Sequence, residues 1–233
     1  MQNIIIRTAD FADLDAVTAL EQVCFTEAEA ASRSAFSQRL HSFPECFWLA
    51  ESGGNIVSMI NGMTTGCRDL TDEMYGDTAL YSADGAWLML FGVATHPGYQ
   101  KHGLASRLMS HVIEEMKRKE KCGIVLTCKE ELLPFYQRFG FVSEGISDSV
   151  HGGAVWYQMR LDFQEELYRC ARSGGECSFY QNGRRYLLYG WRQCDGDYLN
   201  VSDETGQMIW QTAKSGQAAC DAFTAAYRSR ALY

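Results

Sequence analysis

Two stretches of the chain carry residue types that could do chemistry. The first is Gln100-Lys101-His102-Gly103-Leu104-Ala105, just after a turn on Pro97-Gly98. Gly103 and Ala105 stand where a larger side chain would keep an anion away from the backbone. Unpaired N–H groups in the first turn of a helix, together with the helix dipole, attract such an anion, and a diphosphate fits the pattern. The second stretch is Leu133-Pro134-Phe135-Tyr136-Gln137-Arg138-Phe139-Gly140-Phe141, whose Tyr136 is a phenol on a short helical segment that Gly140 ends.

The elements that must position these residues follow from their neighbours. Ala86-Trp87-Leu88-Met89-Leu90 is apolar without alternation, as a strand buried on both faces is. Leu104, Leu108 and Val112, with Ala105, Met109, Ile113 and Met116, recur at helical spacing, so the first stretch reads strand, tight loop, helix. Gly123-Ile124-Val125-Leu126-Thr127-Cys128 is a second buried strand, and a short helix over Lys129 to Phe139 follows it.

Together these motifs resemble the GNAT superfamily of acyl-CoA-dependent N-acetyltransferases. Its pyrophosphate loop has the form Gln/Arg-x-x-Gly-x-Gly/Ala, matched by Gln100 to Ala105, and a Tyr precedes Gly-Phe as Tyr136 precedes Gly140-Phe141. Within the superfamily the look is closest to the serotonin (aralkylamine) N-acetyltransferase-like members, through Val125-Leu126-Thr127-Cys128 and Pro134-Phe135-Tyr136 to Phe141. The resemblance implies a mixed α/β fold and acetyl-CoA as co-substrate, bound at Val93, Ala94 and Gln100, Lys101, His102, Gly103, Leu104 and Ala105. It implies transfer of acetyl to the primary amine of a small molecule by direct attack on the thioester. The alternative is a catalytically silent acyl-CoA-binding module whose C-terminal domain recruits a partner.

Acetyl transfer needs a neutral amine, a place for the oxyanion, and a proton for the departing thiolate. An alkylammonium has a pKa of about 10.4, so a base or a desolvated site must take its proton. A backbone N–H of the strand over residues 86–94 can serve the oxyanion. Tyr136, with a reference pKa of about 10, is protonated at neutral pH and is expected to be the acid. The aralkylamine enzymes relay the proton through two histidines on the central strand, and counting back from His96 those positions are Met89 and Phe91. Neither moves a proton. The base is left open among Asp72, Glu73, His151, His96 and a held water.

The composition, 46% hydrophobic and 21% charged with a formal net charge of -8, is that of a globular protein. Its acidity argues against nucleic acid or an anionic membrane as partner and suits a small cationic amine. Asp69, Asp72, Glu73, Asp77 and Asp84, against a single Arg68, would lie over the acceptor site on the functional reading, with Asp72, Glu73 and His151 as candidate substrate residues. Nine cysteines, odd in number and without a CxxC pair, argue against a metal site and against a disulfide scaffold. With no signal-like start at Met1-Gln2-Asn3-Ile4-Ile5-Ile6-Arg7 and no membrane-length run, a cytoplasmic location with reduced thiols is expected.

Along the chain, Ile4-Ile5-Ile6 reads as a strand, and Asp10 caps a helix with Leu14, Val17, Leu20 and Val23-Cys24 inward. A second helix runs from about Ser34 to His41; in the resembled family these two helices form the wall and lid of the acceptor site. A hairpin turns at Gly53-Gly54, and another over residues 141–161 has Ala154 to Met159 as its second strand. The expected division is an acetyltransferase domain over 1–162, a linker over 163–175, and a small C-terminal ββββα domain over 176–233. In that last domain Asn182-Gly183 makes a type I′ turn and Ser215 caps the final helix.

Overall fold

The apolar periods of the N-terminal part are spent on one mixed sheet. The computed structural model describes residues 4–193, 196–212 and 216–229, so Met1 to Asn3 and the proposed cap Ser215 lie outside the described residues. Contacts divide the chain into one unit of Met1–Glu115 with Gly123–Leu161, and another of Met116–Cys122 with Asp162–Tyr233.

In the first unit the strands are β1 (Ile4–Thr8), β2 (Phe47–Ser52), β3 (Asn55–Thr65), β4 (Trp87–Thr95), β5 (Gly123–Cys128), β6 (Val142–Ile146) and β7 (Tyr157–Asp162). They form a sheet in the order β1-β2-β3-β4-β5-β7-β6. Neighbours from β1 to β4 are antiparallel, whereas β4 and β5 are parallel and need a crossover, supplied by helix α3 (Leu104–Arg118). Helices α1 (Leu14–Cys24), α2 (Arg33–Ser42) and α4 (Leu133–Gln137) complete the unit. Leu88, Met89, Ile124 and Val125 are fully buried, as non-alternating strands require, and Leu104, Leu108, Met109, Val112 and Met116 of α3 are buried too.

The sheet loses its regular pairing at the middle of β4. Asn61 of β3 pairs with Gly92 and Gly62 with Leu90, so Phe91 has no partner across and β4 bulges there. On its other side β4 pairs with β5 from Trp87↔Gly123 to Leu90↔Leu126, and the pairing stops although both strands run on. Past Leu90 the two parallel strands have parted. Gly62 permits the bulge, since a Cβ on it would lie 2.3 Å from the Met89 carbonyl oxygen.

The second unit holds α5 (Phe163–Ser173), β8 (Cys177–Gln181), β9 (Arg184–Gln193), β10 (Gly196–Asp203), β11 (Met208–Thr212) and α6 (Gly216–Arg228). Its antiparallel sheet has the order β11-β10-β9-β8. Asn182 and Gly183, with φ of 53° and 73°, make the tight β8–β9 turn. Leu167, Tyr168, Phe179, Leu188, Val201 and Phe223 give the unit its own core.

Three expectations from the sequence are corrected. Residues 163–175 are not a linker: the Asp162 carboxylate accepts from the N–H groups of Gln164 and Glu165, both at 3.0 Å, and starts α5, which ends at Gly174 in the left-handed region. The second strand of the late hairpin begins at Tyr157, not Ala154, because the Trp156 indole N–H donates to the His151 carbonyl at 2.7 Å and keeps that approach in the loop. The inward stripe of α1 is Leu14, Val17, Thr18, Leu20 and Glu21, whereas Val23 is exposed; the helical period carries the buried face through a carboxylate.

Candidate active site

Beyond Leu90 and Leu126 the parted strands open a cleft of about 80 Å³. Phe91, Gly92 and Val93 of β4 line one side, and Leu126, Thr127 and Cys128 of β5 the other. From α1 and the segment after it come Glu21, Phe25 and Glu29; Tyr75, Leu132, Tyr136, His151 and Trp156 complete the lining.

Tyr136 reaches this cleft because Pro134 sits in the first turn of α4, where its missing N–H costs nothing. Its ring packs edge-on to Phe135 at 5.0 Å and Phe141 at 5.8 Å. Burial, with a smaller contribution from the Cys128 thiol, pushes the phenol pKa up, so it holds its proton at neutral pH.

The loop over residues 96–103 begins where β4 ends. His96 Nδ1 accepts the Gly98 N–H at 3.1 Å, and the Gln100 amide donates to the Thr95 carbonyl at 3.2 Å. His96 is thereby a cap, away from the cleft lining. Lys101 and Gly103 have φ of 63° and 77°, and α3 follows at once. Arg107 N–H donates to the Gly103 carbonyl at 2.9 Å, so the N–H groups of Leu104, Ala105 and Ser106 precede the intrahelical ladder. A Cβ on Gly103 would meet nothing within 4 Å. Open backbone there fits a diphosphate. Lys101, His102 and Gly103 are exposed, Ala105 is half-buried, and the Leu104 side chain is in the core, leaving only its backbone for a ligand. Ala94 is buried against β3, its carbonyl accepting the Ser58 hydroxyl at 2.8 Å, whereas Val93 faces the cleft.

The candidate substrate residues separate. Asp72 accepts from the Ser149 hydroxyl at 2.5 Å and the Val150 N–H at 3.0 Å, which pins the β6–β7 loop, and it does not line the cleft. Glu73 is exposed and also outside the lining. His151 is inside, stacked on Tyr75 at 5.1 Å, with Nε2 3.0 Å from the Glu29 carbonyl. Lys129 pairs with the Glu29 carboxylate at 2.7 Å, so the segment after α1 is tied across the cleft from two sides. Met89 is fully buried, and Phe91 carries the Arg39 guanidinium 4.6 Å above its ring.

Sequence reasoning missed Glu21, Arg39 and Tyr75. Arg39, buried in α2, donates to Asn61 Oδ1 at 3.1 Å and to the Tyr75 carbonyl at 2.7 Å. Burial brings its pKa down to about 10, which still leaves it charged at neutral pH. The Tyr75 phenol lies 3.3 Å from the Thr127 hydroxyl, and its pKa is raised, chiefly by burial. Glu21 and Arg39 each stand at helical spacing among buried apolar residues, which is the signal that could have found them.

A profile of the acetyltransferase (GNAT) family matches residues 14–141. An uncharacterized N-acetyltransferase, ycf52, of Pyropia yezoensis is 26% identical over 90 residues, 39% of this chain and 50% of that protein. The chain thus spans about half the length of that curated relative. Among solved structures, the loading GNATL domain of CurA from Lyngbya majuscula superposes with a TM-score of 0.61 at 18% identity, over 70% of this chain and 99% of that one. The ribosomal-protein-S18-alanine N-acetyltransferase of Escherichia coli does so at 0.52 and 19%, over 69% and 94%. GphF, a GNAT-like decarboxylase solved in complex with isobutyryl-CoA, gives 0.57 and 22%, over 68% and 98%. At these identities the structures speak for the fold. With the family profile running from the start of α1 through the cleft to Phe141, the chain belongs to the acetyltransferase (GNAT) family.

Proposed function

We propose that the chain transfers an acetyl group from acetyl-CoA to the primary amine of a small molecule by direct attack on the thioester. The observation that carries this reading is the cleft between the parted strands β4 and β5, which a buried, protonated phenol lines, in a sheet whose β4 leads directly into an open helix N-terminus. The coenzyme diphosphate would rest on the backbone of Tyr99 to Ala105. The thioester would lie along β4 at Val93 and Ala94, where an N–H on the edge freed from β5 can receive the oxyanion. Tyr136 gives its proton to the leaving sulfur. The loop tied over the cleft by Lys129 and His151 favours a small acceptor over a long chain.

In this reading the transfer site belongs to the first unit, and residues 176–233 take no part in it. Nine cysteines, odd in number and without a CxxC pair, support the reading of a reducing, cytoplasmic setting. The silent-module alternative draws on Met89 and Phe91, which relay no proton. Thiol release from acetyl-CoA in the presence of a panel of primary amines separates the two, since a silent module consumes no thioester.

Replacing Gly103 with Val tests the coenzyme site. A β-branched side chain at φ of 77° is strained, and its bulk enters the space an anion would fill. Acetyl-CoA affinity measured by calorimetry should fall about tenfold or more. Unchanged affinity in a folded variant would remove the diphosphate from this loop.

A further inference from the structure

The second unit holds two thiols that the acetyl-transfer reading does not use. Cys170 stands in the last turn of α5 and Cys177 opens β8, with Gly174 and Gly175 between them. The Cys170 carbonyl accepts the N–H of Gly174 and, at 3.1 Å, that of Gly175, so the chain reverses tightly there. A Cβ on Gly175 would lie 3.5 Å from Cys170 Sγ, which puts that sulfur beside the turn, two residues from Cys177. There the Cys177 thiol donates a hydrogen bond to Cys170 Sγ. Both side chains are half-buried and pack on the core of Leu167, Tyr168, Phe179 and Leu188. A sulfur that accepts a hydrogen bond is favoured as the thiolate. That bond, joined by Lys117 and Arg169 and opposed by burial and Glu166, holds Cys170 below the usual thiol range. The same shared proton, with burial and Glu166, holds Cys177 above it. Lys117 comes from α3 and is fixed by its 2.7 Å pair with Glu166. The arrangement is a partly exposed thiolate with a second thiol in reach.

We propose that Cys170 is a modification site that exchanges with small disulfides such as glutathione disulfide, and that Cys177 resolves the adduct into a reversible Cys170–Cys177 bridge. The Cys170 thiolate attacks one sulfur of glutathione disulfide, an S–S bond forms between them, and the first glutathione leaves as a thiolate. The proton that Cys170 gave up reaches that thiolate through water. Capping Cys170 removes the thiolate that held the Cys177 proton, so Cys177 can ionise in turn. Its sulfur attacks Cys170 Sγ, the mixed disulfide breaks, and the second glutathione departs and takes up the proton from Cys177. The protein loses two electrons and two protons, and one glutathione disulfide becomes two glutathione thiols. The bridge spans the turn from helix to sheet, so it ties the end of α5 to β8, the strand at one edge of the second sheet. In the reducing setting proposed above, such a bond is transient and reports the state of the thiol pool.

The test incubates the full chain with glutathione disulfide at neutral pH, quenches it in acid, alkylates the remaining thiols and digests with trypsin. Cleavage after Arg169, Arg172 and Arg184 leaves the two cysteines on separate peptides, 170–172 and 173–184. Mass spectrometry should find these two joined, and dithiothreitol should part them. In Cys177→Ala the joined species should be lost and glutathione should remain on Cys170. A second readout needs no oxidant. The pH midpoint for alkylation of Cys170 by iodoacetamide should lie below the ordinary thiol value of about 8.5 in the parent and move up in Cys177→Ala. Cys67 and Cys122, both exposed, show that each reagent acts. Glutathione on Cys67 and Cys122 with Cys170 and Cys177 both left as thiols would overturn the proposal. So would a Cys170 midpoint that Cys177→Ala leaves in place.

Discussion

Tyr136→Phe is expected to lower turnover by about 10²–10⁴, the usual cost of a lost general acid, while acetyl-CoA affinity changes little. The substitution removes one hydroxyl and keeps the ring that packs on Phe135 and Phe141. The phenol is only 6% exposed and its pKa is pushed up, so it is a proton reservoir that neutral solution does not empty. The expelled thiolate is a fair base, and a neighbouring phenol neutralises it without first needing to be deprotonated. Single-turnover rates with a confirmed amine isolate the chemical step. A Phe variant running at the parent rate there would make Tyr136 a packed aromatic and leave protonation to water.

Gly62→Ala should damage the β3–β4 pairing at the centre of the sheet. Its Cβ would fall 2.3 Å from the Met89 carbonyl oxygen and 3.2 Å from the Leu90 Cα, both backbone atoms that no rotamer change can move. Either β3 and β4 separate or the bulge at Phe91 is lost. Overpacking of this kind costs about 1–3 kcal/mol or more, so a fall in melting temperature of about 5–10 °C is expected. Because the bulge lies where β4 leaves β5, acetyl-CoA affinity should fall with stability. Gly66→Ala is the control, since a Cβ there meets nothing within 4 Å. Equal melting temperatures for the two variants would mean that the crossing relaxes freely and does not set the cleft.

Much of this was legible in the sequence because it is local. The run from Ala86 to Met116 carries strand, turn and helix in its own apolar spacing, and the chain follows it. The parting of β4 from β5 is not local: it depends on Gly62 opposite Leu90, a pairing that no window of sequence contains. Asp72 and Glu73 look like an ammonium trap as a charge run, yet Asp72 is consumed in holding Ser149 and Val150. Glu21 went unseen for the converse reason. A carboxylate between Leu20 and Val23 reads as surface until the period is followed strictly from Leu14 through Val17 to position 21. The helix of residues 163–173 was hidden by its polar composition, although Asp162 and Gly174 mark both ends.

Nothing in the first turn of α3 distinguishes the acetylated coenzyme from the spent one. On the proposed reading both present the same diphosphate and the same arm, and the grip is equal before and after transfer. Uniform binding of that sort lowers the concentration needed for saturation without hastening the chemistry, and it makes the product a competitor. Free CoA should therefore inhibit competitively against acetyl-CoA, with an inhibition constant near the dissociation constant of acetyl-CoA itself. Output would then follow the ratio of charged to uncharged coenzyme, and at high amine the slow step passes to departure of the thiol. An inhibition constant weaker by orders of magnitude would show instead that the acetyl group, and not the helix terminus, carries the affinity.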